Sequence, residues 1–196
     1  MRLQLITPPA VEPVTLDEVK DHLRVTNDLE DDLLSNLITT ARQKLDGPRG
    51  LLGRALITQT WTATLDGFPR VIDLPFAPVS AVSAITYRDT TGIEQTLAAD
   101  AYMVAGLLDD HLTAISPVCG KSWPFIPYSP GRVSVTFTAG YGDAPEDVPE
   151  PIRTAIKMLV GHLYKNREAV TVASGSMMET PIGWQDLVAD YRIRGF

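Results

Sequence analysis

The 196 residues are 44% hydrophobic and 21% charged, enough to bury roughly 70% of the unfolded surface and to form one domain with room for an insertion. A formal charge of −7 and a pI near 4.9 argue against a protein built to grip phosphates, which needs clustered Lys and Arg. The lone Cys119 excludes an intrachain disulfide and a thiol-rich zinc site and fits a reducing compartment.

The stretch up to Pro13 carries Pro8, Pro9 and Pro13, whose fixed φ and missing N–H predict an extended arm. Thr15 with Glu18 forms a capping box, and Leu16, Val19 and Leu23 recur at helical spacing, predicting a short helix over about 16–25. Asn27 with Glu30 repeats the signal, and Leu29, Leu33, Leu37, Ile38, Ala41 and Leu45 make a longer amphipathic stripe that Gly47-Pro48 ends.

From Ala55 the period becomes two: Ile57, Gln59, Trp61, Ala63 and Leu65 share one face, and Thr58, Thr60, Thr62 and Thr64 the other. Residues 79–87 and 93–97 flank Asp89-Thr90-Thr91-Gly92, a hairpin composition. Weaker strands are expected over 102–105 and 112–115. Residues 132–138 alternate again, with Val133, Val135 and Phe137 inward, so the middle of the chain reads as a small antiparallel sheet or sandwich. Pro117, Pro124, Pro127 and Pro130 mark residues 116–130 as a long ordered loop without regular pairing.

Pro149-Glu150-Pro151 opens a third helix, because proline in the first turn forfeits no hydrogen bond. Its buried stripe is Ile152, Ala155, Ile156, Leu159, Leu163 and Tyr164, with Arg153, Lys157 and Lys165 opposite. Beyond Glu168 the chain turns small and polar through Ala173-Ser174-Gly175-Ser176, and 184–191 is a short candidate helix. The expected fold is α+β: a helical core from 1–54 and 140–168, an inserted antiparallel β region over about 55–139, and a C-terminal tail or short helix over 169–196.

No apolar run approaches the ~20 residues of a membrane span, and Met1-Arg2-Leu3-Gln4 lacks a signal pattern. The expectation is a chain made and kept in the bacterial cytoplasm unless a larger particle carries it out. His22, His111 and His162 show no helical metal-pair spacing to another His or Cys. Asp28, Glu30, Asp31 and Asp32 cluster where carboxylates favour a helix N-terminus, without the central Gly and terminal Glu of an EF-hand. There is no Gly-x-Ser-x-Gly elbow, and Gly140-Tyr141-Gly142 lacks the Lys-Ser or Lys-Thr of a phosphate loop and reads as a strand-ending turn. Cys119 beside Gly120-Lys121 reads as inert. No catalytic, cofactor or metal site is expected.

Four stretches together resemble the tailed-phage head-to-tail connector (adaptor) proteins, including those of phage-derived gene transfer particles. They are Leu5-Ile6-Thr7-Pro8-Pro9 leading to Val14-Thr15-Leu16-Asp17-Glu18-Val19-Lys20; Gly53-Arg54-Ala55-Leu56-Ile57-Thr58-Gln59-Thr60-Trp61; Phe137-Thr138-Ala139-Gly140-Tyr141-Gly142; and Val148-Pro149-Glu150-Pro151-Ile152-Arg153 running on to His162-Leu163-Tyr164-Lys165-Asn166-Arg167-Glu168. The resemblance implies a non-enzymatic virion part in the particle's neck. Its helical core would associate into a ring, commonly dodecameric, beneath the portal protein, continuing the channel through which DNA passes without sequence-specific binding. A stopper or tail-completion protein would be its other neighbour. On this reading Asp28, Glu30, Asp31 and Asp32 are candidates for the channel wall. Trp184, Leu187, Tyr191, Arg192, Ile193, Arg194 and Phe196 are candidates for a portal-docking tail, because aromatic anchors dominate interface energetics; the competing reading of the same apolar groups is a last helix packed on its own core. A stopper or tail-completion protein of the same particle is the alternative, followed by a small nucleic-acid module using Trp61, Tyr87 or Phe137 as a platform.

Overall fold

The computed structural model describes residues 1–109, 112–167 and 183–193. The chain runs through strand β1 (Arg2–Thr7), helices α1 (Leu16–Leu23) and α2 (Asp31–Leu45), and strands β2 (Gln59–Leu65), β3 (Ile72–Asp73), β4 (Val79–Arg88), β5 (Glu94–Thr96), β6 (Tyr102–Ala105), β7 (Ala114–Pro117) and β8 (Val133–Ala139). It closes with α3 (Glu150–Lys165) and the short α4 (Trp184–Leu187). The class is α+β, as expected.

The capping box forms: Thr15 Oγ1 accepts from the Glu18 amide at 3.2 Å, and the Glu18 carboxylate accepts from the Thr15 amide at 2.9 Å. The second capping signal fails. Asn27 Oδ1 accepts from the Leu29 amide at 3.1 Å, a local turn that postpones the helix to Asp31. Glu30 stands at the N-cap without a side-chain bond, and Leu29, expected in the buried stripe, is 92% exposed. The rest of that stripe holds, with Leu34, Ile38, Ala41 and Leu45 buried. In α3 the buried side is wider than expected, adding Val160 and Gly161 to Ile152, Ala155, Ile156 and Leu159.

An antiparallel five-stranded sheet in the order β1-β2-β8-β4-β5 is accompanied by a three-stranded one, β3-β7-β6. The predicted hairpin is β4-β5, with Tyr87 opposite Gln95. The N-terminal arm is extended as expected, yet Arg2–Thr7 is also paired, Leu3 with Ala63 and Leu5 with Trp61. The expected strand from Ala55 begins only at Gln59. The loop over 116–130 enters the pairing at its start, where Tyr102 lies opposite Pro117. Gly140 ends β8 at φ 143°, and a Cβ there would lie 2.5 Å from the Thr58 amide nitrogen, so only glycine allows the strands to approach.

Two apolar cores result. One joins α1, α2 and α3 with Leu52, Leu56, Ile57, Val148 and Val188; the other fills the β region around Phe76, Phe137, Ile85, Val133 and Val135. Residues 46–58 form the seam. Ala55 donates to the Ala77 carbonyl at 2.9 Å and belongs to the β core, whereas Leu56 and Ile57 turn into the helical one.

Candidate assembly surfaces

The acidic cluster sits where the C-terminal ends of α1 and α3 meet the start of α2. Lys20 Nζ bonds Asp28 at 2.5 Å and Asp31 at 2.8 Å. The Glu30 carboxylate accepts from the Tyr164 hydroxyl and from Arg167 at 2.7 Å. The Tyr164 hydrogen bond, then Arg167, pulls Glu30 below the usual carboxylate range. Lys20 does the same for Asp28, whose bond raises the Lys20 ammonium in turn. Asp32 is exposed. Two cations thus face four carboxylates, so the cluster keeps a net negative charge, while Asp28, Glu30 and Asp31 clasp the loop and the start of α2 onto α1 and α3.

The C-terminal segment lies on the same helical core. Val188 is 2% exposed, and Trp184, Leu187 and Tyr191 pack around it, half-buried. The Lys44 ammonium stands 5.7 Å from the Trp184 ring centroid. The buried guanidinium of Arg54 donates to the Tyr191 carbonyl, and the Ile193 amide donates to the Leu52 carbonyl at 3.0 Å. Arg192 is exposed. Arg194 and Phe196, like His111 and the stretch 173–176, lie outside the described residues. Sequence reasoning assigned no role to Arg54, although its position beside Gly53 in the second resembling stretch was the available signal.

At the seam, Asp46 accepts from the Leu56 amide at 2.9 Å, from Gln59 Nε2 at 3.1 Å and from Arg42 at 3.2 Å. Burial pushes its carboxyl upward despite these bonds. Arg42 also reaches Glu12 at 2.7 Å, tying the arm to α2. Beside this cluster Trp61, Arg49 and the arm residues Leu3, Leu5 and Pro8 border a groove of about 1020 Å³. Elsewhere the proline-bounded loop presents Phe125, 87% exposed, and Tyr128, 82% exposed. Its base is anchored by Trp123 stacked on Phe68 at 4.9 Å. Cys119 is exposed. Trp61, Tyr87 and Phe137 do not form an open platform, because Phe137 is buried and the other two are half-buried. Among the described residues no group of three or more His, Cys, Asp or Glu is placed to hold a metal, and no helix is long and apolar enough to cross a membrane.

Residues 13–105 match the profile of the phage gp6-like head-tail connector protein family. Over that span the chain is similar to structural head-tail connectors, the family whose resemblance was read in the sequence. Solved structures similar to the whole chain include three from gene transfer agent (GTA) particles. A chain from the neck of an empty GTA particle, computed with C6 symmetry, is 25% identical with a TM-score of 0.78. One from the virion of a native GTA particle is 26% identical with a TM-score of 0.79. One from the neck of a native GTA particle, computed with C12 symmetry, is 25% identical with a TM-score of 0.73. Each similarity covers 100% of this chain and 98% of the other. No curated protein matches the sequence.

Proposed function

We propose that this chain is a ring-forming head-to-tail connector subunit that sits beneath a portal, joins head to tail and extends the channel through which DNA passes. The observation that carries the reading is the full-length likeness to chains of GTA necks, one of them computed with C12 symmetry. Function here means assembly. In a cyclic ring each subunit presents one patch to a different patch on its neighbour and repeats the contact until closure. The protein contributes interfaces and an exit path rather than a reaction, so it acts without a cofactor. DNA slides past without being read.

Within this proposal the four carboxylates at 28 and 30–32 contribute to the channel wall; a ring structure that puts them on the outer rim removes that role. Trp184, Leu187, Tyr191, Arg192, Ile193, Arg194 and Phe196 form the portal-docking tail, their basic residues suited to an acidic groove. Docking through Trp184, Leu187 and Tyr191 requires the segment to leave its own helical core, and coupled ordering costs about 2–5 kcal/mol. Deleting the chain from Pro181 onward should abolish portal binding; unchanged affinity removes the tail's role. Sedimentation of the protein alone and with portal tests the proposal as a whole. Portal-dependent assembly into a large ring is expected, and a stable dimer in both conditions contradicts it.

A further inference from the structure

At the C-terminal ends of α1 and α3 lies a groove of about 600 Å³ whose walls carry His22, Arg24, His162 and Lys165 over a floor including Met158 and Gly161. In a protein of net charge −7 the residues lining this groove include two cations, Arg24 and Lys165, and no carboxylate, although the acidic cluster adjoins the same helix ends. Arg24 and Lys165 are exposed and make no ion pair among the described residues. Immediately before α3 the situation is reversed. The 3-10 turn Pro145–Asp147 and its flank expose the carboxylates of Asp143, Glu146 and Asp147, also without an ion pair among the described residues. Asp147 accepts from the Ala144 amide at 3.0 Å, which shapes the turn. The turn precedes Glu150, the first residue of α3, and the groove lies on that helix from Met158 to Lys165, so about 12–22 Å of helix stands between the two patches at 1.5 Å per residue. One subunit cannot bring them together; two can.

We propose that the basic groove receives the acidic turn 143–147 of a second copy, and that this contact is the head-to-tail seam between neighbours in the ring. The inference rests on the ring reading above and adds which surfaces meet. Its geometry is heterologous, one patch against a different one, as ring closure demands. Exposed charges of this kind steer encounter and set register more than they add affinity. The apolar floor contributes the burial, and the seam weakens as salt screens it.

The test uses the full chain with portal and reads ring formation by native mass spectrometry and sedimentation. Arg24→Glu with Lys165→Glu in one chain, and Asp143→Lys with Glu146→Lys in another, should each reduce ring formation at least tenfold. Mixing the two variants should restore it as alternating rings with an even number of subunits, because each reversed patch then faces its complement. Arg24→Gln with Lys165→Gln, which neutralises without repelling, should give an intermediate loss. Thermal melts of all variants should match wild type. Assembly of either reversed variant as well as wild type overturns the seam, and so does a mixture that fails to recover. Duplex DNA bound by wild type and released by Arg24→Glu with Lys165→Glu while the ring persists also overturns it, assigning the groove to phosphates. If wild type never forms a ring with portal, the connector reading fails together with the seam.

Discussion

Where α3 meets α1 and α2, apolar contact is bracketed by charge: Arg153 joins Glu18 and Glu150 at one end, and Arg167 joins Glu30 at the other. Where β2, β8 and β4 meet, the core is closed by rings, with Phe76 5.3 Å from Trp61 and 5.5 Å from Phe137. The helical half depends on protonation state and ionic strength; the β half depends on volume.

The largest expected effect falls on the β half. Phe76→Ala leaves a cavity between the rings of Trp61 and Phe137 and should cost about 3–5 kcal/mol by chemical denaturation. A loss below about 1 kcal/mol would mean that the β core is loosely packed. At the seam, Asp46→Ala strands the buried Leu56 amide and should cost about 1–3 kcal/mol. Asp46 also sharpens the comparison through pH. Its folded-state carboxyl is raised above the ordinary value by burial, so the native state holds the proton longer than the unfolded chain. Stability from this group therefore falls as pH rises through the window above 3.8 and is constant beyond it. Asp46→Asn should erase that slope in a pH series of denaturation midpoints.

The clasps of the helical half behave oppositely. Asp28, Glu30 and Glu150 are all lowered, led by the bonds from Lys20, Tyr164 and Lys157 respectively. Their support is complete above the unfolded values of 3.8 and 4.5 and is lost as pH falls through the folded ones. Protection of amides in α2 and the end of α3, relative to intrinsic exchange at each pH, should fall on acidification from pH 5 to pH 3, while that of the β4-β5 hairpin holds. That hairpin is fastened by Asp89, brought down to about 2 by the Thr91 hydroxyl, then Gln95. The smallest effect is local: Asp89→Ala should remove exchange protection from Thr91 and Ile93, whose amides it accepts at 2.8 and 3.1 Å, and leave the helices untouched.

The elements legible in the sequence are those whose signal is local. The capping box at Thr15, the stripe of α3, the Asp89–Gly92 turn and the alternation of β8 each follow from residues within one or two turns of one another. Leu29 misled because Asn27 has two uses for the same side chain, a cap or a tight turn, and periodicity cannot tell them apart. Strand β3 is two residues long and exists only because Ile72 faces Ile115 across β7, a contact invisible in a linear chain. The seam residues Asp46, Arg54 and Gln59 were illegible for the same reason, since a buried polar network is defined by partners distant in sequence. Trp184 and Tyr191 were visible as anchors, but the packing of their segment on α3, with Ile193 bonded to Leu52, required the fold.

The account is tested most directly by electron micrographs of the purified chain mixed with portal, averaged along the portal axis. It predicts one closed ring of subunits beneath the portal, twelve in number on the proposed reading, with the helical halves touching. Bare portals beside free monomers at every concentration would contradict it.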